Sequence, residues 1–332
     1  MARIVRTDRE LELPRVDAAL RDDGHELVLL PQGVSEETLS REMRAATLLL
    51  MCYTPVTRRV IEAAQELKGI VKYGVGIDAI DIDAARVRGI PVANVPEYAE
   101  ETVAEGAFAL LMALAKGLKP IQRAMEHDGW IWPTRAWLAA DLAGKTVGVV
   151  GLGRIGSAFA RMAAAFRMTI LAYDPHVEKH PHVPIRTNLR AMLAESDFVS
   201  IHCVLNAETR QLIGEAELRA MKPTAFLINV SRGAIVDEQA LARALQEKRI
   251  AGAALDVYSS EPLTRIGHPL SALYAMDNVI LSPHLTFYTR EAMARLEAET
   301  LERCREVLEG RPLTVRSRDP RLGAQTRGVR FA

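Results

Sequence analysis

Thr146-Val147-Gly148-Val149-Val150-Gly151-Leu152-Gly153-Arg154-Ile155-Gly156 is the stretch that decides the fold. An apolar strand pattern runs directly into three glycines spaced G-x-G-x-x-G and on into a helical pattern, and Asp174 stands 18 residues past the last glycine, at the end of the next apolar run. This arrangement predicts a dinucleotide site. Gly151 permits the tight turn, Gly153 lets backbone approach a pyrophosphate, Gly156 lets helix pack on strand, and the N–H groups at the helix start hold phosphates. A carboxylate at Asp174 is expected to accept hydrogen bonds from both adenosine ribose hydroxyls and to repel a 2′-phosphate, which predicts NAD over NADP.

At 332 residues the chain exceeds the size at which a single core keeps growing, so two domains are expected. It is 49% hydrophobic and 25% charged, an ordinary globular composition. Lysine plus arginine and aspartate plus glutamate each total 42, leaving no net field to attract nucleic acid or an anionic membrane, so a small-molecule partner is expected. Cys52, Cys203 and Cys304 are far apart and have neither CxxC nor Cys/His ligand spacing, which predicts reduced thiols with no disulfide framework and no zinc. The first residues, Met1-Ala2-Arg3-Ile4-Val5-Arg6, lack a signal pattern, and no uncharged run reaches membrane-spanning length. A cytoplasmic location follows as an expectation.

Outward from the glycine motif, short apolar runs alternate with helical patterns. Residues 26–30, 48–51, 70–73 and 91–95 read as strands of a first small α/β unit, and Ala99–Leu118 as a long helix. From about Asp141, strands are predicted at 169–173, 198–202, 225–230, 250–257 and 279–282. The fold class is α/β: two Rossmann-like, doubly wound parallel-sheet domains with the active site expected in the cleft between them. An amphipathic stretch, Thr289–Leu308, is expected to return to the first domain, giving residues 1–98 with 290–332 as the substrate-binding, flavodoxin-like domain and 99–289 as the NAD-binding Rossmann domain. Trp130, Trp132 and Trp137 are expected to serve packing or a subunit interface rather than a substrate wall. The tail 311–332, with six arginines and one acid, reads as solvated or draped over a partner.

Hydride transfer to a 2-oxo acid requires a cation for carboxylate and carbonyl, a proton donor titrating near neutrality, and a group that holds that donor. Three successive strand ends offer one of each: Arg232 in Asn229-Val230-Ser231-Arg232-Gly233, Glu261 after Asp256-Val257-Tyr258, and His284 in Ser282-Pro283-His284. Glu261 against the imidazole is expected to orient it and favour imidazolium. In the first domain the two glycines of Lys72-Tyr73-Gly74-Val75-Gly76-Ile77-Asp78 suggest a nest of amides for the substrate carboxylate, with Lys72 as helper and Tyr73 reaching either the pocket or the core. His176, His180 and His182 sit in a proline-broken loop without matching acids, and no metal is expected.

These segments, in order and spacing, resemble the D-isomer specific 2-hydroxyacid dehydrogenases over residues 45–310 or so. The resemblance implies NAD(P) in an interdomain cleft, a homodimer held largely by the nucleotide domains, and an Arg/Glu/His triad at Arg232, Glu261 and His284. It also implies substrate contacts from Tyr73, Gly74, Val75 and Gly76 besides Arg232 and His284. Cofactor contacts are implied for Thr102 on the nicotinamide side, Arg154 and Ile155 on the pyrophosphate, His202, Cys203 and Val204 along the adenine, Asn229 and Val230, and Asp256 as carboxamide acceptor. Val204 departs from a common proline, and Gly106 replaces a frequent histidine, putting a helix-packing contact in question. Glutamate at 261 separates the chain from formate dehydrogenases of this fold, which pair glutamine with their histidine.

The reading that follows is an NAD(H)-dependent oxidoreductase interconverting a 2-oxo acid and an (R)-2-hydroxy acid. A phosphite dehydrogenase-like activity and a nucleotide-sensing scaffold resembling the C-terminal binding proteins are the alternatives, the latter because Leu285-Thr286-Phe287-Tyr288-Thr289 carries aromatics as theirs does. Met51, Tyr53 and Phe287 suggest a moderately apolar substrate pocket, and the absence of an extra basic cluster argues against 3-phosphoglycerate.

Overall fold

The computed structural model describes residues 1–332 and divides them into two compact units, Met1–Ala99 with Thr289–Ala332, and Glu100–Tyr288. The first unit is built on a parallel sheet of β1 (Arg3–Arg6), β2 (Glu26–Leu29), β3 (Leu48–Met51), β4 (Gly69–Lys72) and β5 (Val92–Asn94), in the order β2-β1-β3-β4-β5. This is the flavodoxin-like order, whose ligand crevice lies at the switch between β1 and β3. The strands β3 and β4 are buried on both faces, as continuous apolar runs in a covered parallel sheet must be.

Sequence reading passes over β1, because two apolar residues between arginines make no run. Ile4 and Val5 are nonetheless fully buried between β2 and β3, and Arg6 is buried with them because its guanidinium donates to Asp17 at 2.9 Å. The tail also corrects expectation. It forms β12 (Leu313–Val315) and β13 (Val329–Phe331), buries Leu313, Val315 and Leu322, and turns the Gln325 amide against β5, accepting from Val92 N at 2.7 Å and donating to Val92 O at 2.9 Å. A side-chain amide that mimics a strand partner on the sheet edge leaves no apolar period to read.

The second unit carries β6 (Thr146–Val150), β7 (Thr169–Tyr173), β8 (Phe198–Ile201), β9 (Phe226–Asn229), β10 (Gly252–Leu255) and β11 (Val279–Leu281), all parallel, in the order β11-β10-β9-β8-β6-β7. The order reverses between β6 and β8, so the glycine loop leaving β6 stands at the topological switch point. The long helix runs over Glu100–Ala115, shorter than expected at its C-terminus, where Gly117 turns at φ 60° into a second helix, Leu118–Asp128. Phe108 on the first of these helices meets Phe159 edge-on at 6.1 Å and Phe166 at 4.7 Å, anchoring it to the helix Arg154–Ala165. Trp130 and Trp132 are 64% and 74% exposed, so packing within the unit does not account for them. No helix is long and apolar enough to cross a membrane.

Candidate active site

The glycine loop has the shape a pyrophosphate needs. Gly151 turns at φ 93°, and a Cβ there would fall 2.4 Å from Cys203 N, so the loops leaving β6 and β8 touch through their backbones. A Cβ on Gly156 would lie 2.1 Å from Gly151 O, the close helix-to-strand approach that the third glycine allows. Gly153 is the opposite case: nothing lies within 4 Å of its would-be Cβ, and it caps the 12-residue helix that begins at Arg154. Open space before a helix N-terminus fits a phosphate group. Asp174 at the end of β7 is oriented by two amides, Leu152 N to Oδ2 at 2.8 Å and His176 N to Oδ1 at 2.9 Å. Each oxygen retains a lone pair, so the carboxylate fits a ribose diol.

In the loop after β8, expected to line an adenine, Val204 is 63% exposed, and burial pushes the Cys203 thiol up to about 12. His202 corrects the expectation: its imidazole lies 2.8 Å from Ser200 Oγ and packs on Phe159 at 4.9 Å, and desolvation pushes its pKa down to about 3. Asn229 is likewise committed, its amide donating to Arg232 O at 2.9 Å and accepting from Ser231 N at 3.1 Å, which shapes the turn that presents Arg232. Val230 and Thr102 are buried at 7% and 6% exposure.

Glu261 and His284 meet. His284 Nδ1 lies 2.8 Å from Glu261 Oε2, both side chains about one-fifth exposed, and Glu261 Oε1 accepts from Tyr258 N at 2.9 Å. Burial alone would raise the Glu261 carboxyl, but the hydrogen bond and charge of His284, the Tyr258 amide and the Arg232 guanidinium outweigh it and hold the group below its ordinary value. The third member, Arg232, heads the turn Gly233–Ile235, and Gly233 is pressed so closely on the next loop that a Cβ would fall 1.9 Å from the Tyr258 carbonyl carbon. Behind that loop the buried Glu238 accepts from Ser259 N at 2.6 Å and from the Ser259 hydroxyl, a buttress no motif announces.

His284 adopts φ 58°, a left-handed conformation that costs a non-glycine residue on the order of 1 kcal/mol or more. Asp256, fully buried at the end of β10, holds the turn on both sides. Its Oδ1 accepts from Ser282 Oγ at 2.6 Å and Leu285 N at 2.9 Å, and its Oδ2 from Thr286 N at 3.0 Å and Thr286 Oγ1 at 2.6 Å. Four donors from the chain itself fill the four lone-pair sites of a carboxylate. The expected carboxamide acceptor is therefore occupied in supporting the His284 turn.

In the first unit, Gly74 turns at φ 145° two residues past β4, Asn94 Nδ2 donates to Val75 O at 2.5 Å, and Val75 is 38% exposed at the turn. Tyr73 takes the core alternative, and Lys72 is buried as well. The Tyr73 ring is fully buried with its hydroxyl on Thr7 O, and the buried Lys72 Nζ lies 3.1 Å from Cys52 Sγ and 5.4 Å from the Tyr53 ring centroid. Strand alternation points both side chains into covered faces. Met51 is also fully buried, and Phe287, buried too, stands edge-on to His284 at 6.0 Å. Asp8, unremarked in the sequence, organises the loop after β3 by accepting from Cys52 N, Tyr53 N and Thr54 N at 2.9, 3.0 and 3.1 Å.

A doubly wound sheet with a phosphate-ready glycine loop, a diol-ready aspartate and an adjoining imidazole–carboxylate pair defines an NAD-dependent oxidoreductase. Comparison with known proteins makes the class specific. The family model for the D-isomer specific 2-hydroxyacid dehydrogenase NAD binding domain matches residues 108–286, more than half of the chain. A glyoxylate reductase of Korarchaeum cryptofilum is 43% identical over 266 residues, covering 76% of this chain and 78% of that protein. A D-3-phosphoglycerate dehydrogenase of Synechocystis is 40% identical over 268 residues, covering 80% of this chain and 47% of its own length. Among solved structures, a D-lactate dehydrogenase from Aquifex aeolicus, complexed with NAD and lactic acid, superposes with TM-score 0.83 at 31% identity over 92% of this chain and 96% of that one. The chain belongs to the D-isomer specific 2-hydroxyacid dehydrogenase family.

Proposed function

We propose that this chain is a cytoplasmic, NADH-preferring reductase of small 2-oxo acids to (R)-2-hydroxy acids, with glyoxylate and hydroxypyruvate the first substrates to try. The observation that carries the reading is the 2.8 Å pair of His284 Nδ1 and Glu261 Oε2. With Nδ1 engaged by the carboxylate, Nε2 is the nitrogen that delivers a proton to the substrate oxygen, and the ionised Glu261 stabilises the imidazolium before transfer. Arg232 polarises the carbonyl and balances charge growing on its oxygen. The Val75–Gly76 turn supplies amide donors to the carboxylate. Asp174 holds the ribose diol and disfavours a 2′-phosphate, and Gly153 with the first turn at Arg154 and Ile155 receives the pyrophosphate. NADH, when bound, supplies the hydride.

The similarity to glyoxylate reductases supports the substrate class. Cys52, Cys203 and Cys304 are thiols rather than disulfides, which together with the balanced charge supports the location. A homodimer through the second unit is supported by the helix Leu118–Asp128, which buries no residue, and by the exposed Trp130, Trp132 and Leu138. The test is NADH oxidation against glyoxylate, hydroxypyruvate, pyruvate and longer 2-oxo acids, with phosphite in the reverse direction. Turnover of at least one 2-oxo acid, abolished in His284→Ala with NADH binding intact, is expected. A chain that turns over none, or an active His284→Ala protein, overturns the reading.

A further inference from the structure

We propose that Thr286, seated against Gly106, is a positioning residue for His284: the side-chain-less spot on the helix Glu100–Ala115 lets the threonine stand where its hydroxyl closes the Asp256 clamp. The inference rests on the assignment of His284 as proton donor, but its evidence is separate. A Cβ built on Gly106 would fall 2.7 Å from Thr286 Cβ, 2.9 Å from its Cγ2 and 3.2 Å from its backbone Cα. The contact at Cα means that no rotamer change of Thr286 relieves the clash, so a side chain at 106 must move the turn itself. That turn is two residues from His284 and is fixed by hydrogen bonds to one buried carboxylate.

The geometry explains why a rigid device is needed there. His284 sits at φ 58°, so its backbone relaxes unless both flanks are held. Ser282 holds one flank through Oγ to Asp256 Oδ1 at 2.6 Å. Thr286 holds the other twice, through its amide and its hydroxyl, both on Oδ2. The hydroxyl reaches Oδ2 only with Thr286 close to the helix, and glycine at 106 makes that approach possible. Helix and loop are thus mutually fitted, and their contact transmits the position of the helix to the imidazole through Asp256.

The test is a double-mutant cycle read by kinetics and by hydrogen–deuterium exchange of the peptide spanning residues 282–288. Gly106→Ala is expected to lower kcat about 10- to 100-fold with little change in NADH affinity, the scale of an ångström-sized misplacement, and to speed amide exchange in that peptide. In the Thr286→Gly background the same Gly106→Ala change is expected to add little further loss, because both contacts under 3.0 Å are gone and only the 3.2 Å approach to Cα remains. Thr286→Val, which keeps the shape and removes the hydroxyl, is expected to lose kcat, and Thr286→Ser to recover most of it. Equal losses from Gly106→Ala in both backgrounds, or unchanged kcat and exchange in Gly106→Ala, overturn the inference. Amide exchange reads the clamp without turnover, so a parent chain inactive on every 2-oxo acid would sink the assignment of His284 while leaving the clamp measurable.

Discussion

Gly233→Ala tests whether the triad depends on two loops touching backbone to backbone. The new Cβ would fall 1.9 Å from the Tyr258 carbonyl carbon, 2.2 Å from Ser259 N and 2.3 Å from Tyr258 Cα. Ordinary contact begins near 3.4 Å, so the Arg232 turn and the Tyr258–Ser259 segment must part by 1.5 Å, the difference between 3.4 and 1.9 Å. No flexible side chain can yield, since all three neighbours are backbone atoms. The second segment is also tethered, by Ser259 N to Glu238 at 2.6 Å and by Tyr258 N to Glu261 at 2.9 Å, so a displacement there carries Glu261 with it. A misplacement of this size is expected to lower kcat by about 100-fold or more. Overpacking should also remove roughly 1–3 kcal/mol of stability, which lowers Tm by about 2–10 °C. The assay pairs NADH absorbance kinetics with a thermal melt. Gly323→Ala serves as the control, because nothing lies within 4 Å of its would-be Cβ. A Gly233→Ala protein with the parent kcat and Tm would refute the reasoning.

Glu261→Gln is expected to lower kcat about 100-fold or more, the scale of acid–base assistance, with NADH affinity nearly unchanged in a fluorescence titration. Because the folded Glu261 pKa lies below its unfolded value, it adds stability above the ordinary carboxylate range and loses it as pH falls through the folded value, so denaturant midpoints of the variant should fall less steeply in acid. His202, held down to about 3 against roughly 6.5 when unfolded, gives a second slope of known sign. Below about pH 6.5 the unfolded chain takes a proton that the folded one refuses, so stability falls with pH, and His202→Asn should flatten that fall in melts between about pH 6.5 and 4.5. Asp8→Ala orphans three loop amides and is expected to lose about 3 kcal/mol or more in urea unfolding, at about 1–3 kcal/mol for each buried donor left unpaired.

What was legible in the sequence is what local chemistry encodes. The glycine spacing, the strand before it and Asp174 after it reflect constraints acting within about 30 residues, a single strand–helix–strand unit. The contact of Glu261 with His284 was legible for another reason: both residues follow an apolar run, and parallel strands all deliver their C-termini to one edge. The misses share a cause as well. Position at a strand end suggests Lys72 as a helper and leaves Tyr73 between pocket and core, because the direction of a side chain depends on local register; both are buried. His202 was assigned by resemblance, and its ring turns inward because Ser200, two residues earlier on the same face, offers a hydroxyl at 2.8 Å. The Gln325 contact with β5 joins residues far apart in sequence, and no periodicity reports such a pairing.

Three aspartates show how such sheets fix the loops that carry their chemistry. Asp8 follows β1 and accepts from the amides of Cys52, Tyr53 and Thr54, which leave the neighbouring β3. Asp174 follows β7 and accepts from Leu152 N, which leaves the neighbouring β6. Asp256 follows β10 and accepts from Leu285 N and Thr286 N, which leave the neighbouring β11. In each case a strand-end carboxylate takes the amides that the sheet ladder no longer pairs, and removing it would leave those donors buried without partners. An acid just past a strand in a parallel sheet therefore has a structural claim on the next loop before any claim on a ligand. Glu261 differs: the amide it accepts, Tyr258 N, belongs to its own loop, and its other oxygen faces an imidazole. That difference in who donates sets the carboxylate paired with the imidazole apart from the three that tie neighbouring loops together.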